Sequence, residues 1–116
     1  MIIQELEIFK RAHIFTLYMY KITKNFPKDE MYGLISQIKR ASGSINANLM
    51  EGAARKTNKE FEHFIHISRG SVQELIYHIM LSRDLEYIKN DIAEKCIDEL
   101  QQLGKMLNGL LNNIKE

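Results

Sequence analysis

The residues that could do chemistry in this chain are few. Glu60-x-x-His63 has the spacing of one half of a di-iron carboxylate centre. Such a centre needs a second Glu-x-x-His and two further inward glutamates, and no second copy occurs. His63 and His66 lie one helical turn apart and could share a metal with Glu62 or Glu51, although histidines at that spacing also decorate solvated helix faces. His13 and His78 fall at the border of the expected core. A helical ribonuclease with a histidine five to seven residues after an arginine is the most interesting enzyme to test for. None of Arg11, Arg40, Arg55, Arg69 and Arg83 has a histidine at that distance. Cys96 lies on an apolar seam, where a thiol behaves as a small hydrophobe. A glycine-rich phosphate loop, a nucleophile elbow and zinc-finger spacing are all missing from the sequence. The reading is a non-enzyme with no catalytic residue, no metal ligand, no cofactor and no evident small-molecule substrate. The alternative is a metal-dependent or nuclease-type helical-bundle enzyme.

A second group of residues is polar without being catalytic. Arg40, Ser44, Asn48, Glu51 and Arg55 follow one another at helical spacing beside an apolar stripe, and Arg69, Ser71, Glu74 and His78 answer further along. If these two helices are antiparallel about a turn at 56–57, Arg40 lies level with Glu74, Ser44 with Gly70, and Glu51 near His63. The spacing predicts an interhelical ion pair between Arg40 and Glu74, buried enough that losing one partner is costly. Gly43-Ser44 and Gly70-Ser71 also fall level, which suggests a close backbone approach there. The group is read as a structural polar seam that sets helix register.

The elements that must position these residues are helices. Ile8, Ala12, Phe15, Met19, Ile22 and Phe26 form one stripe over 4–26, which ends at Pro27. Leu34, Ile38, Ala41, Ile45, Leu49 and Gly52 form the next over 28–54. Thr57 and Glu60 have capping-box spacing and start a third helix, 58–87. Cys96, Leu100, Leu103, Leu107, Leu110 and Ile114 advance by alternating fours and threes over 91–114, a heptad seam. Short connections make consecutive helices antiparallel. The expected architecture is all-α: an antiparallel, up-down-up-down four-helix bundle in one domain, 1–116.

Composition agrees with that reading. The chain is 45% hydrophobic and 27% charged, enough for a core and a solvated outside. No apolar run approaches the roughly 20 residues that span a bilayer, so no membrane partner is expected. The single cysteine points to a reducing cytoplasm. Charge is uneven: residues 1–57 carry nine basic and five acidic groups, and 58–116 carry seven and ten. Such a molecule can pair head to tail or present one cationic face. Lys10, Arg11, Lys21, Lys24, Lys28, Lys39 and Lys56 are the basic residues expected to stay free of internal partners, and so the candidate contacts for RNA or DNA. Phe9, Tyr18, Tyr20, Leu103, Met106 and Leu110 widen the apolar faces of the first and last helices beyond one seam, as an interface would.

Several spaced motifs occur in order: Phe26-Pro27 with Glu30 and Tyr32-Gly33-Leu34; Gln37-Ile38-Lys39-Arg40-Ala41; Ser44-Ile45-x-x-Asn48-x-x-Glu51-Gly52; Arg55; and Ser68-Arg69-Gly70-Ser71-x-x-Glu74-Leu75. From about Leu6 to Leu111 the chain resembles the bacterial four-helix-bundle family of 23S rRNA intervening-sequence proteins. It is also similar to the accessory variability protein of diversity-generating retroelements. Phe9, Asn46 and Met50 depart from the family, which often has tryptophan, proline and alanine there. The resemblance implies a homopentamer of antiparallel four-helix protomers and no reaction. It further implies association with nucleic acid, since the retroelement relative is a basic pentameric barrel that works with a reverse transcriptase and RNA. A nearly neutral chain, at net +1, implies weaker affinity, because affinity scales with the phosphates neutralised.

Overall fold

Helix α1 spans Glu7–Ile22, α2 Leu34–Ala53, α3 Asn58–Asp84 and α4 Asn90–Lys115, in a computed structural model that describes residues 1–115. The helices are shorter at several ends than the apolar stripes suggest, each for a local reason. Ile3–Glu5 is a separate 3-10 turn, and extended Leu6 (φ −72°, ψ 144°) separates it from α1. At the other end α1 tightens into a 3-10 turn at Thr23–Asn25, and Phe26 is extended before Pro27, as the proline ring requires.

The expected helical start at 28 is a single 3-10 turn, Lys28–Glu30. Gly33 (φ −113°, ψ −111°) interrupts it, and the Glu30 carboxylate then accepts the Leu34 N–H at 3.2 Å, satisfying one of the first free donors of α2. A Cβ on Gly33 would fall 2.8 Å from Glu30 Oε1, so glycine is what leaves room for this cap. The other oxygen of Glu30 accepts the Tyr87 hydroxyl at 2.8 Å, and the Tyr87 ring packs against Phe26 at 5.3 Å. One carboxylate thus ties the α1–α2 turn to the end of α3. Donating to it holds the Tyr87 phenol above its ordinary pKa.

Thr57 and Glu60 form the capping box that opens α3. The helix stops at Asp84 rather than 87, because Glu86 turns left-handed (φ 64°). The Tyr87 N–H then reaches back to the Ser82 carbonyl and the Glu86 N–H to that of Arg83, a Schellman end that satisfies two free carbonyls.

The four helices pack as an all-α bundle 44 × 25 × 20 Å across, with no strand among the described residues. The α2–α3 interface is the most extensive, followed by α3–α4 and α1–α2; α1 and α4 barely meet. One continuous core runs through Ala12, Phe15, Met19, Ile38, Ile45, Leu49, Ile65, Leu75, Ile79, Leu100, Leu103 and Leu107. Ile22, Phe64 and Ile114 sit half-buried at its edge, and Leu85 is exposed. No helix among the described residues is long and apolar enough to cross a membrane.

Candidate functional site

The α2–α3 interface brings part of the polar seam together. Arg40 Nη2 donates to Glu74 Oε2 at 2.8 Å, Ser44 and Ser71 hydroxyls meet at 2.6 Å, and Ser68 Oγ donates to the Ile45 carbonyl at 2.8 Å. These pairs are level in an antiparallel arrangement about the 56–57 turn. His78 Nε2 adds a second partner to Glu74 Oε2, at 2.9 Å. The pair is not buried: the Arg40 side chain is 63% exposed, so solvent screens it. Buried polarity lies beside it instead, at His78, whose Nδ1 has no partner.

The rest of the seam stays within single helices. Asn48 donates to the Ser44 carbonyl. Glu51 pairs with Arg55 at 2.8 Å and not with His63, because the i, i+4 partner on its own helix is in reach. Arg55 also stacks over the Phe64 ring at 4.8 Å. Arg69 turns away from α2, with Nη1 3.2 Å from His66 Nδ1. The close approach expected at Gly43 and Gly70 is absent: a Cβ at either would meet nothing within 4 Å. It occurs at Gly52, where a Cβ would lie 2.7 Å from Phe64 Cβ and 2.9 Å from Phe61 Cδ1.

Of the basic candidates, Lys10, Lys21, Lys24, Lys28 and Lys56 are exposed. Lys39 is half-buried, with its ammonium 5.0 Å from the centre of the Tyr20 ring. Arg11 does not stay free: its guanidinium forms a two-pronged pair with Glu99 of α4, and this carboxylate raises the Arg11 pKa. The spacing on α1 could not reveal a partner 88 residues away.

The apolar surplus is also redistributed. Leu103 and Leu110 are core, and Phe9 and Met106 are half-buried. α1 keeps one exposed apolar face, Ile14 (66%), Leu17 (57%) and Tyr18 (37%), within little more than one helical turn. Ile14, Phe15 and Tyr18 form one wall of an open cleft of about 270 Å³ against Cys96 and Glu99 of α4. Burial raises the Tyr18 phenol and pushes the Cys96 thiol up to about 11.

His63, His66 and His13 are exposed, so His13 lies off the core border where the sequence reading put it. His66 is 3.8 Å from Glu62. Among the described residues no three His, Cys, Asp or Glu side chains converge as a metal site. Polar links that the sequence reading missed cross to α1: Asn46 Nδ2 donates to the Phe9 carbonyl at 2.8 Å and Thr16 Oγ1 to the Ser42 carbonyl at 3.0 Å. A polar residue beside an apolar stripe, as Asn46 is, was the available signal; the Thr16 bond ends on a backbone carbonyl, which no side-chain pattern reports.

Comparison with known proteins agrees with this geometry. Residues 4–109 match the family described as 23S rRNA-intervening sequence protein. No curated protein matches the chain. A crystal structure of a protein of unknown function from the S23 ribosomal protein family of Bacteroides thetaiotaomicron superposes with a TM-score of 0.80. The two are 21% identical, over 90% of this chain and 97% of the other. At that identity the likeness concerns the fold.

Proposed function

We propose, on the premise that the chain belongs to the 23S rRNA-intervening sequence protein family, that it is a non-enzymatic, self-associating scaffold of the bacterial cytoplasm. Its working form is a closed pentamer that contacts RNA or DNA. The observation that carries the reading is the outward face of α1. Ile14, Leu17 and Tyr18 stand exposed on a helix that α4 scarcely covers, and contiguous apolar surface on a small domain favours an interface. The uneven charge supports a head-to-tail contact, which generates a ring when its rotation closes. The number five comes from the family resemblance.

Nucleic-acid contact is supported by the exposed Lys10, Lys21, Lys24, Lys28 and Lys56, which a ring repeats once per protomer. Light scattering across micromolar concentrations tests the assembly, and a persistent monomer overturns it. Filter binding to structured RNA tests the contact. Affinity is expected to fall steeply with added salt, and neutralising Lys21, Lys24 and Lys28 together is expected to flatten that slope. No retention of RNA or DNA at low salt removes the nucleic-acid half of the proposal.

A further inference from the structure

A cleft of about 670 Å³ runs between α3 and α4, on helices that carry none of the lysine candidates above. Its size is that of a small-molecule site, which typically spans about 300–1,000 Å³. Two cations, Arg69 and Lys105, and the imidazole of His66 stand around it. The amides of Gln73, Gln101 and Asn108 add donors and acceptors, and Val72 and Leu100 supply apolar surface. No carboxylate is among the described lining residues, in a chain with 15 acidic residues.

The cations are not spent elsewhere. Among the described residues neither Arg69 nor Lys105 forms an ion pair. Among the described residues Arg69 hydrogen-bonds only with His66, at 3.2 Å, and the far nitrogen of that ring lies 3.8 Å from Glu62. Two helix-interior glycines, Gly70 and Gly104, also line the cleft. Packing does not demand them: a Cβ at Gly70 meets nothing within 4 Å, and one at Gly104 meets only Val72 Cγ1, at 4.0 Å. Neither glycine has a positive φ. What their missing side chains do is leave the cleft open.

We propose that this cleft binds a nucleotide, with its phosphate on Arg69 and Lys105 and its sugar or base edge against the amides. A guanidinium fork matches phosphate oxygens, and an ammonium adds a second point charge. A free nucleotide and one unit of an RNA strand offer the same chemistry. The inference rests on the composition of the cleft, not on the lysines of α1 and α2 or on self-association.

The test titrates the full chain with AMP and with a short single-stranded RNA, by calorimetry at low salt. At least one is expected to bind. Replacing Arg69 and Lys105 together by alanine is expected to weaken that binding about tenfold or more. Gly70→Leu fills the cleft with a better helix former, so it is expected to abolish binding without lowering the melting temperature. AMP binding that survives neutralisation of Lys21, Lys24 and Lys28 but is lost with Gly70→Leu supports the site and identifies a free nucleotide. RNA binding lost with Gly70→Leu supports it and identifies a strand. If neither probe binds, or if binding ignores both cleft variants, the inference is overturned. RNA binding that responds only to the lysines overturns it while leaving the lysine interface standing.

Discussion

Glu74 is the residue on which the α2–α3 seam turns, because a single oxygen, Oε2, accepts from both Arg40 and His78. The two donors differ in surroundings, and so in what their loss costs. Arg40 is mostly in water, and an exposed pair contributes below about 1 kcal/mol; Arg40→Ala is expected to melt close to the parent. Glu74→Ala strands the Nε2 of a buried imidazole whose Nδ1 is already unpaired, at an expected cost of about 1–3 kcal/mol. Equal losses in the two variants, read from denaturant midpoints, would contradict this ordering. Cys96 makes a different claim, about pH. Burial raises its pKa from 9.0 to about 11, so between those values the unfolded chain releases a proton that the native one keeps. The neutral thiol's contribution is therefore complete below about pH 9 and is lost as pH climbs to about 11. Thermal melts of the parent and Cys96→Ala over that range are expected to converge or cross as pH rises.

At the scale of elements, glycines separate what packing requires from what it tolerates. Gly52→Ala is expected to cost about 1–3 kcal/mol, because its Cβ would overlap Phe64 and Phe61, both on the facing helix. Gly43→Ala meets open space and removes a helix-interior glycine, so a gain of about 0.5–1 kcal/mol is expected. The opposite sign at either site, in paired chemical melts, would mean that the helices sit closer or farther apart than described. The same contrast shows what was legible beforehand. Apolar periodicity located all four helices and the α2–α3 register, because burial repeats with the helical turn. The seam's level was readable because it follows from one turn and a constant rise. Three things were not readable. Helix ends depend on single carboxylates and single dihedrals, as at Glu30 and Glu86. The Arg11–Glu99 pair joins opposite ends of the chain. The α3–α4 cleft follows from side chains that are absent at Gly70 and Gly104, and periodicity reports only those present.

For the whole molecule, the weak α1–α4 contact links assembly to binding. The three consecutive pairings are more extensive than α1–α4, and α1 keeps Ile14, Leu17 and Tyr18 outward. A charge placed there tests the proposed interface without touching the core. Leu17→Glu puts a carboxylate where a partner would exclude water, and an unpaired buried charge is strongly disfavoured. In the monomer the same position is 57% exposed, so the fold is expected to survive, within about 0.5 kcal/mol. The expected outcome is a shift to monomer in light scattering with unchanged helicity by circular dichroism. If RNA contact depends on repeating a weak lysine patch around a ring, the monomeric variant also loses apparent RNA affinity, by about 10²-fold or more. Nucleotide binding in the α3–α4 cleft lies within one protomer and is expected to persist. An oligomer that survives Leu17→Glu would move the interface away from α1. A monomer that still bound RNA as tightly as the parent would place the contact within a single copy.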